Sequence, residues 1–258
     1  MRYENPMYMA EDAGAADLIA GGRLQLGVSR GSPEQVIDGY RYFGYQPGEG
    51  ETDADMARTH TSVFLQAIDG ARFAQPNPRP MFPNPPGLLG IEPQSPGLRE
   101  RVWWGAGTRA TAEWTAQQGL NLMSSTLLTE DTGVPFHELQ AEQIRRFRDE
   151  WKVQGHEREP RVSVSRSIFA IVDDRDRAYF GRRDDNQDQV GVIDGSTARF
   201  GRSYADEPDK LIEQLREDEA IAAADTLLLT VPNQLGVEYN AHVISSILEH
   251  VAPALGWR

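Results

Sequence analysis

Apolar residues recur along this chain with two periods that alternate. Between Pro6 and Ala20 the positions Met7, Met9, Ala10, Ala13, Ala16 and Leu18 fall near helical spacing, and Gly21-Gly22 supplies a stop. The segment GRLQLGVSRG follows, in which Leu24, Leu26 and Val28 alternate with Gln25, Gly27 and Ser29. That is the period of a strand with two different faces. Helices are predicted from about 33 to 43 and from 53 to 68. RVWWGAG reads as a strand that turns at Gly105 and Gly107 into a helix over 108–118, and LNLMSST is the next strand. Val134 to Gln154 is a long amphipathic helix with Phe136, Leu139, Ile144, Phe147 and Trp151 as its buried positions. RVSVSRSIFAIV, over 161–172, alternates and then turns wholly apolar, as a strand entering a core does. Asp206 to Ala222 reads as a helix, TLLLTV as a buried strand, and Val237 to Ala254 as a closing helix.

Five strands, near 24–29, 102–104, 120–125, 161–172 and 226–231, are thus separated by helices, the signature of a parallel sheet. A doubly wound sheet and an incomplete eightfold barrel both fit the pattern. Two stretches fall outside the alternation. Eight of the sixteen prolines lie from Pro76 to Pro96, which forbids helix or inner strand and predicts an extended surface arm. The polar, Gly- and Asp-rich stretch from 182 to 204 reads as a loop or an excursion.

Composition narrows the function classes. With 26 Lys and Arg against 39 Asp and Glu the net charge is −13, a field that repels a phosphate backbone, and no basic stripe offsets it. Nucleic acid is therefore not an expected partner. The absence of Cys excludes disulfides, thiolate metal sites and a cysteine nucleophile, and it fits a reducing compartment. The first residues are acidic where a secretory signal is basic, and no apolar run approaches the roughly 18 residues of a membrane span. The expectation is a cytoplasmic protein with no membrane partner.

Two segments could carry chemistry. SRG at 29–31 ends the first strand, where α/β proteins place ligands, so Ser29 and Arg30 are candidates for a hydroxyl contact and an anion clamp. An ordinary ion pair with one of the many surface carboxylates also accounts for Arg30, and more simply. GAGTRAT at 105–111 joins a Gly-rich turn to a helix N-terminus, with Thr108 and Thr111 one turn apart. Bare amides, the positive end of the helix dipole and two hydroxyls make a phosphate cradle. A plain helix cap on Thr108 with a turn at Gly105 would explain the same residues. The dinucleotide fingerprint is not met, since Ala110 stands where its third Gly is required. None of the five histidines has metal-ligand spacing, the acidic pairs Asp173-Asp174 and Asp184-Asp185 do not fit a calcium loop, and neither GxSxG nor a Walker motif occurs. No metal is expected.

At GGRLQLGVSRG the chain resembles the bacterial luciferase-like flavin monooxygenases, and the preceding AEDAGAADLIAGGRL has the form that family shows ahead of its fourth strand. The resemblance continues in order through YRYFGY at 40–45, VWWGAGTRATAEWTAQQGLNLM, DEPDKLIEQL and ADTLLLTV. It implies a TIM-barrel-like (β/α)8 fold forming a single domain over 1–258, with a Pro-rich loop at 76–97 and a polar excursion at 182–204. It also implies a reduced flavin at the carboxyl ends of the strands. Carried across by position, Arg30 and Arg58 would contact the flavin phosphate, Thr108 and Thr111 would close the phosphate turn around Gly107, and Ser29 would lie by the isoalloxazine ring. A cysteine stands at the Ser29 place in the luciferase itself, so no thiol-dependent behaviour is expected here. About five of the family's eight strand–helix units are present. Three, of about 30 residues each, would precede the chain, with part of the flavin pocket and the histidine associated with catalysis. The chain therefore reads as one whose start omits them, as a natural short form, or as a domain completed by another chain; Met1-Arg2-Tyr3, read as mid-helix without a cap, favours the first.

The function implied is a flavin-dependent monooxygenase using reduced FMN and dioxygen on a small-molecule substrate, with a separate flavin reductase as the source of reductant and a second copy of the chain as a further partner. The alternatives are a dehydrogenase of the same fold dependent on the deazaflavin F420, and a catalytically silent flavin-binding relative. No catalytic base is assigned.

Overall fold

The computed structural model of the chain describes residues 1–31, 38–130, 132–181, 187–193 and 195–257. The chain divides into two compact units, Met1–Gly105 and Ala106–Arg258.

The first unit begins with α1 (Pro6–Ile19). The Asn5 side chain caps this helix by accepting the Met7 and Tyr8 amides, and Pro6 takes the position where a missing N–H costs nothing. Met1-Arg2-Tyr3 consequently lies outside any helix, which corrects the mid-helix reading of these residues. The helix buries Ala10, Ala13 and Gly14, while Ala16 and Leu18 are exposed. A Cβ at Gly14 would run into the Pro93 carbonyl, so α1 and the Pro-rich arm meet backbone to backbone. Asp17 on the same face is fully buried and accepts the Ser95 hydroxyl at 2.7 Å, the Leu24 amide at 2.9 Å and the Arg101 guanidinium at 2.5 Å. Burial alone would raise its pKa, and these bonds hold it below the usual carboxylate range.

After α1 come β1 (Leu26–Val28), α2 (Tyr40–Phe43), α3 (Asp53–Ile68), β2 (Arg72–Ala74), β3 (Leu89–Gly90) and β4 (Val102–Ala106). The helix expected over 33–43 is only the short α2 where it can be seen, because 32–37 lie outside the described residues. By contrast α3 has the predicted bounds, set by a reciprocal capping box between Thr52 and Asp55. β1 and β4 pair in parallel, Leu26 opposite Val102 and Val28 opposite Trp104. Within the Pro-rich stretch no helix forms, and β3 pairs antiparallel with β2.

The second unit contains α4 (Arg109–Gln117), β5 (Asn121–Ser124), β6 (Leu127–Leu128), α5 (Phe136–Gln154), β7 (Val162–Arg166), β8 (Ile168–Ala170), α6 (Asp174–Phe180), β9 (Gln189–Ile193), β10 (Ser196–Phe200), β11 (Tyr204–Asp206), α7 (Pro208–Arg216), α8 (Glu219–Ala223), β12 (Thr226–Leu229), α9 (Gly236–His250) and α10 (Ala252–Leu255). β7 lies between β5 and β12, parallel to both. All five positions expected to be buried on α5 are buried. The strand expected over 161–172 is broken after Arg166, and its second part, β8, pairs in parallel with β11. The helix expected over 206–222 is likewise two, because Asp218 leaves the helix to cap α8 through the Ala220 and Ile221 amides. The excursion at 182–204 holds the antiparallel pair β9–β10, and β10 also pairs with β6; Asp184-Asp185 lie outside the described residues. The closing helix divides at Val251, two residues before Pro253.

Asp218 also anchors the core of this unit. It accepts Arg166 Nε at 2.8 Å and Nη2 at 3.0 Å, together with the Tyr204 hydroxyl at 2.6 Å. Both charged side chains are essentially inaccessible, at 2% and 0% exposure. Burial would push Asp218 up, but Arg166 and Tyr204 hold it below its usual value, while burial and the adjacent carboxylate push Tyr204 up to about 12. No helix among the described residues is long and apolar enough to cross a membrane.

Candidate functional site

In the second unit, β4 ends at Ala106 and the chain turns through Gly107 and Thr108 into α4. Thr108 is the N-cap: its Oγ1 accepts the Thr111 amide at 3.1 Å and donates to Thr111 Oγ1 at 2.8 Å. The two threonines predicted to act together are therefore joined, and the arrangement leaves the Thr111 hydroxyl proton available to an outside acceptor. The amides of Gly107, Thr108 and Ala110 donate to no described residue. A Cβ at Gly107 would find nothing nearer than the Leu127 carbonyl and Thr129 Oγ1 at 3.9 Å, so the turn is not packed shut against the protein. Three open amides and one free hydroxyl proton fit a phosphate monoester.

A charged group already touches this turn. The Arg109 amide donates to Glu130 Oε2 at 3.0 Å, and the Arg109 guanidinium holds both Glu130 and Glu142. The hydrogen bond from Arg109 is the largest of the effects that hold Glu142 below the usual carboxylate range. From the other side, Gln143 of α5 donates to the carbonyls of Ala106, at 3.2 Å, and Thr108, at 3.0 Å. Neither Glu130 nor Gln143 figured in the reading of the sequence. Gln143 left a legible trace, because Gln140 and Gln143 interrupt the apolar stripe of α5 at helical spacing; Glu130, in an irregular segment, left none.

In the first unit, Ser29 and Arg30 follow β1 directly, as predicted. Ser29 Oγ accepts the Gly31 amide at 3.1 Å, and its carbonyl takes the terminal ammonium of Met1 at 2.8 Å. A Cβ at Gly105 would stand 3.2 Å from Ser29 Cβ, so the glycine lets the ends of β1 and β4 approach closely. Arg30 and Arg58 are both half-buried; Arg58 lies on α3 within electrostatic reach of Asp55. A cleft of about 310 Å³ in the same unit is lined by Tyr3, Tyr40, Tyr45, Gln46, Pro47 and Asp53.

A further cluster lies at the start of α6. The ligand atoms of Asp173, Asp176 and His242 all lie within 4.8 Å of one another, metal-ligand spacing that sequence distance concealed. Yet Asp176 already accepts the Tyr239 hydroxyl and the amides of Val172 and Asp173, with His242 Nε2 at 3.0 Å. Burial would raise Asp176; these partners together hold it below its usual value, and burial with the adjacent carboxylate raises Tyr239. The oxygens are committed to a capping box and two side chains, which is a packing role.

No curated protein matches the chain by sequence. Among solved structures it is similar to the monooxygenase RslO1 of Streptomyces bottropensis, with 14% identity and a TM-score of 0.64 over 98% of this chain and 75% of that one. It is also similar to the oxygenating constituent of 3,6-diketocamphane monooxygenase from Pseudomonas putida, solved in complex with FMN, with 12% identity and a TM-score of 0.63 over 98% and 76%. The coenzyme F420 dependent tetrahydromethanopterin reductase of Methanopyrus kandleri gives 13% identity and a TM-score of 0.57 over 97% and 79%. At these identities the likeness establishes an α/β, TIM-barrel-like fold. The family model of luciferase-like monooxygenases matches residues 2–225, and the chain belongs to that family.

Proposed function

We propose that the chain is a flavin-dependent monooxygenase that uses reduced FMN and dioxygen on a small organic substrate, with the FMN phosphate on the Gly107–Thr111 turn. The observation that carries the reading is the set of open amides at Gly107, Thr108 and Ala110 beside the Thr111 hydroxyl, in a chain of the luciferase-like family. Bound reduced flavin would supply the electrons for dioxygen activation. The turn would anchor the phosphate through backbone donors at a helix N-terminus, where the dipole adds to the hydrogen bonds. Glu130, on the neighbouring Arg109 amide, opposes a second anion and weakens its binding. Ser29, Arg30 and Arg58 are proposed as flavin contacts of the first unit, each to be read by its own substitution. In this reading the reductant comes from a separate flavin reductase, and the protein works in the cytoplasm as a homo-oligomer.

The deazaflavin F420 also carries a phosphate, and the Methanopyrus kandleri reductase depends on it. Anaerobic titration of the tryptophan emission with reduced FMN and with reduced F420 separates the two. Saturation by FMN at the lower concentration supports the proposal, and the reverse order assigns the chain to F420. Binding of neither cofactor overturns both readings.

A further inference from the structure

The carboxamides of α5 form a buried chain that ends on the turn. Gln140, Ser124 and Gln143 are exposed by 0%, 1% and 0%. Gln140 Nε2 donates to the Ser125 carbonyl at 2.8 Å and to Ser124 Oγ at 2.9 Å, and Ser124 Oγ donates to Gln143 Oε1 at 2.5 Å. Each link fixes the next. The Ser125 carbonyl accepts only a donor, so it sets which way the Gln140 amide faces. Gln140 then occupies a Ser124 lone pair and directs the serine proton to Gln143. With its oxygen so engaged, Gln143 can present only its NH₂ to the carbonyls of Ala106 and Thr108.

In a trans peptide the carbonyl and the following N–H point in opposite directions. The carbonyls of 106 and 108 also accept the Ser125 and Ala112 amides, each at 3.1 Å; Gln143 is the second donor that holds them toward α5, which aims the amides of Gly107 and Arg109 away from it. One of these two amides already carries an anionic partner, the Glu130 carboxylate, and the other is open. We infer that Gln143 is a positioning residue for the anion turn: it orients the backbone donors toward the phosphate without touching it, and Ser124 and Gln140 set its orientation. This inference rests on the phosphate reading above.

Its test is the affinity of reduced FMN and of reduced riboflavin, which lacks the phosphate, for the intact protein, Gln143→Met and Ser124→Ala, read by tryptophan quenching together with a melting curve. Met matches the shape of Gln and cannot donate. The expected result is a loss of about tenfold or more in FMN affinity for Gln143→Met with riboflavin within twofold, and a smaller loss of the same kind for Ser124→Ala. Equal losses for the two flavins would show a merely structural residue and overturn the inference. If Gln143→Met does not fold, Ser124→Ala alone decides by the same comparison. A parent protein that binds both flavins equally removes the phosphate reading and the inference with it. A parent that prefers FMN, with the preference kept in the variants, removes the inference alone.

Discussion

At the scale of single residues, groups placed to touch the anion differ from groups that hold the protein together. Thr111→Val removes a hydroxyl whose proton has no acceptor among the described residues, while leaving the Thr111 amide on Thr108. It is expected to weaken FMN by roughly three- to tenfold, the worth of one hydrogen bond, with the melting temperature of the apoprotein nearly unchanged. Glu130→Gln is expected to strengthen FMN and leave riboflavin alone, since it removes a negative charge from the Arg109 amide; a weaker FMN complex in that variant would show that Glu130 supports the site. Arg166→Met leaves Asp218 buried without its cation, and denaturant unfolding should show a loss of about 3–5 kcal/mol. Of these residues only Thr108 and Thr111 were legible in the sequence, because their contact is local. Arg166 with Asp218, 52 residues apart, and Asp176 with His242, 66 apart, meet through the fold alone.

At the scale of elements, legibility followed the strength of local signals. α3 carries a complete capping box and α5 a long apolar stripe interrupted only by Gln140 and Gln143, and both have bounds close to those the sequence predicts. α1 is a mixed case: of its periodic apolar positions Ala10 and Ala13 are buried, but Ala16 and Leu18 are exposed, because close packing on Pro93 selects the face of Ala10, Ala13 and Gly14. Gly14→Ala should therefore destabilise the first unit even though Ala favours helix, and an unchanged melting curve would contradict that packing. The β9–β10 pair escaped notice because half of its alternation faces solvent, with Val192 at 74% exposure, and only pairing with β6 makes it a sheet. Where tertiary contacts end an element, as Asp218 does between α7 and α8, periodicity runs on past the true boundary.

At the scale of the whole molecule, three buried carboxylates set the response to acid. Asp17, Asp176 and Asp218 titrate below their ordinary value of 3.8 when folded. Unfolding returns each to that value, so the unfolded chain binds more protons in this window. Their stabilisation is complete above about pH 4 and drains away as the pH falls through the depressed folded values. Circular dichroism should accordingly show an acid transition below about pH 4, and Arg166→Met, less stable already at neutral pH, should show a shallower fall of unfolding free energy across this window, because its Asp218 is no longer held below the unfolded value by a cation. An equally steep fall of unfolding free energy with pH in parent and variant would contradict the role given to that pair. The family membership, the parallel strand–helix alternation and a Gly-rich turn with bare amides were readable in the sequence; which of those amides remain open was not, because that depends on where Glu130 falls. The most direct measurement is therefore a crystal structure of the FMN complex. The account predicts phosphate oxygens about 2.7–3.2 Å from the Gly107 and Thr108 amides and the Thr111 hydroxyl, and a phosphate bound with none of these donors in reach would contradict it.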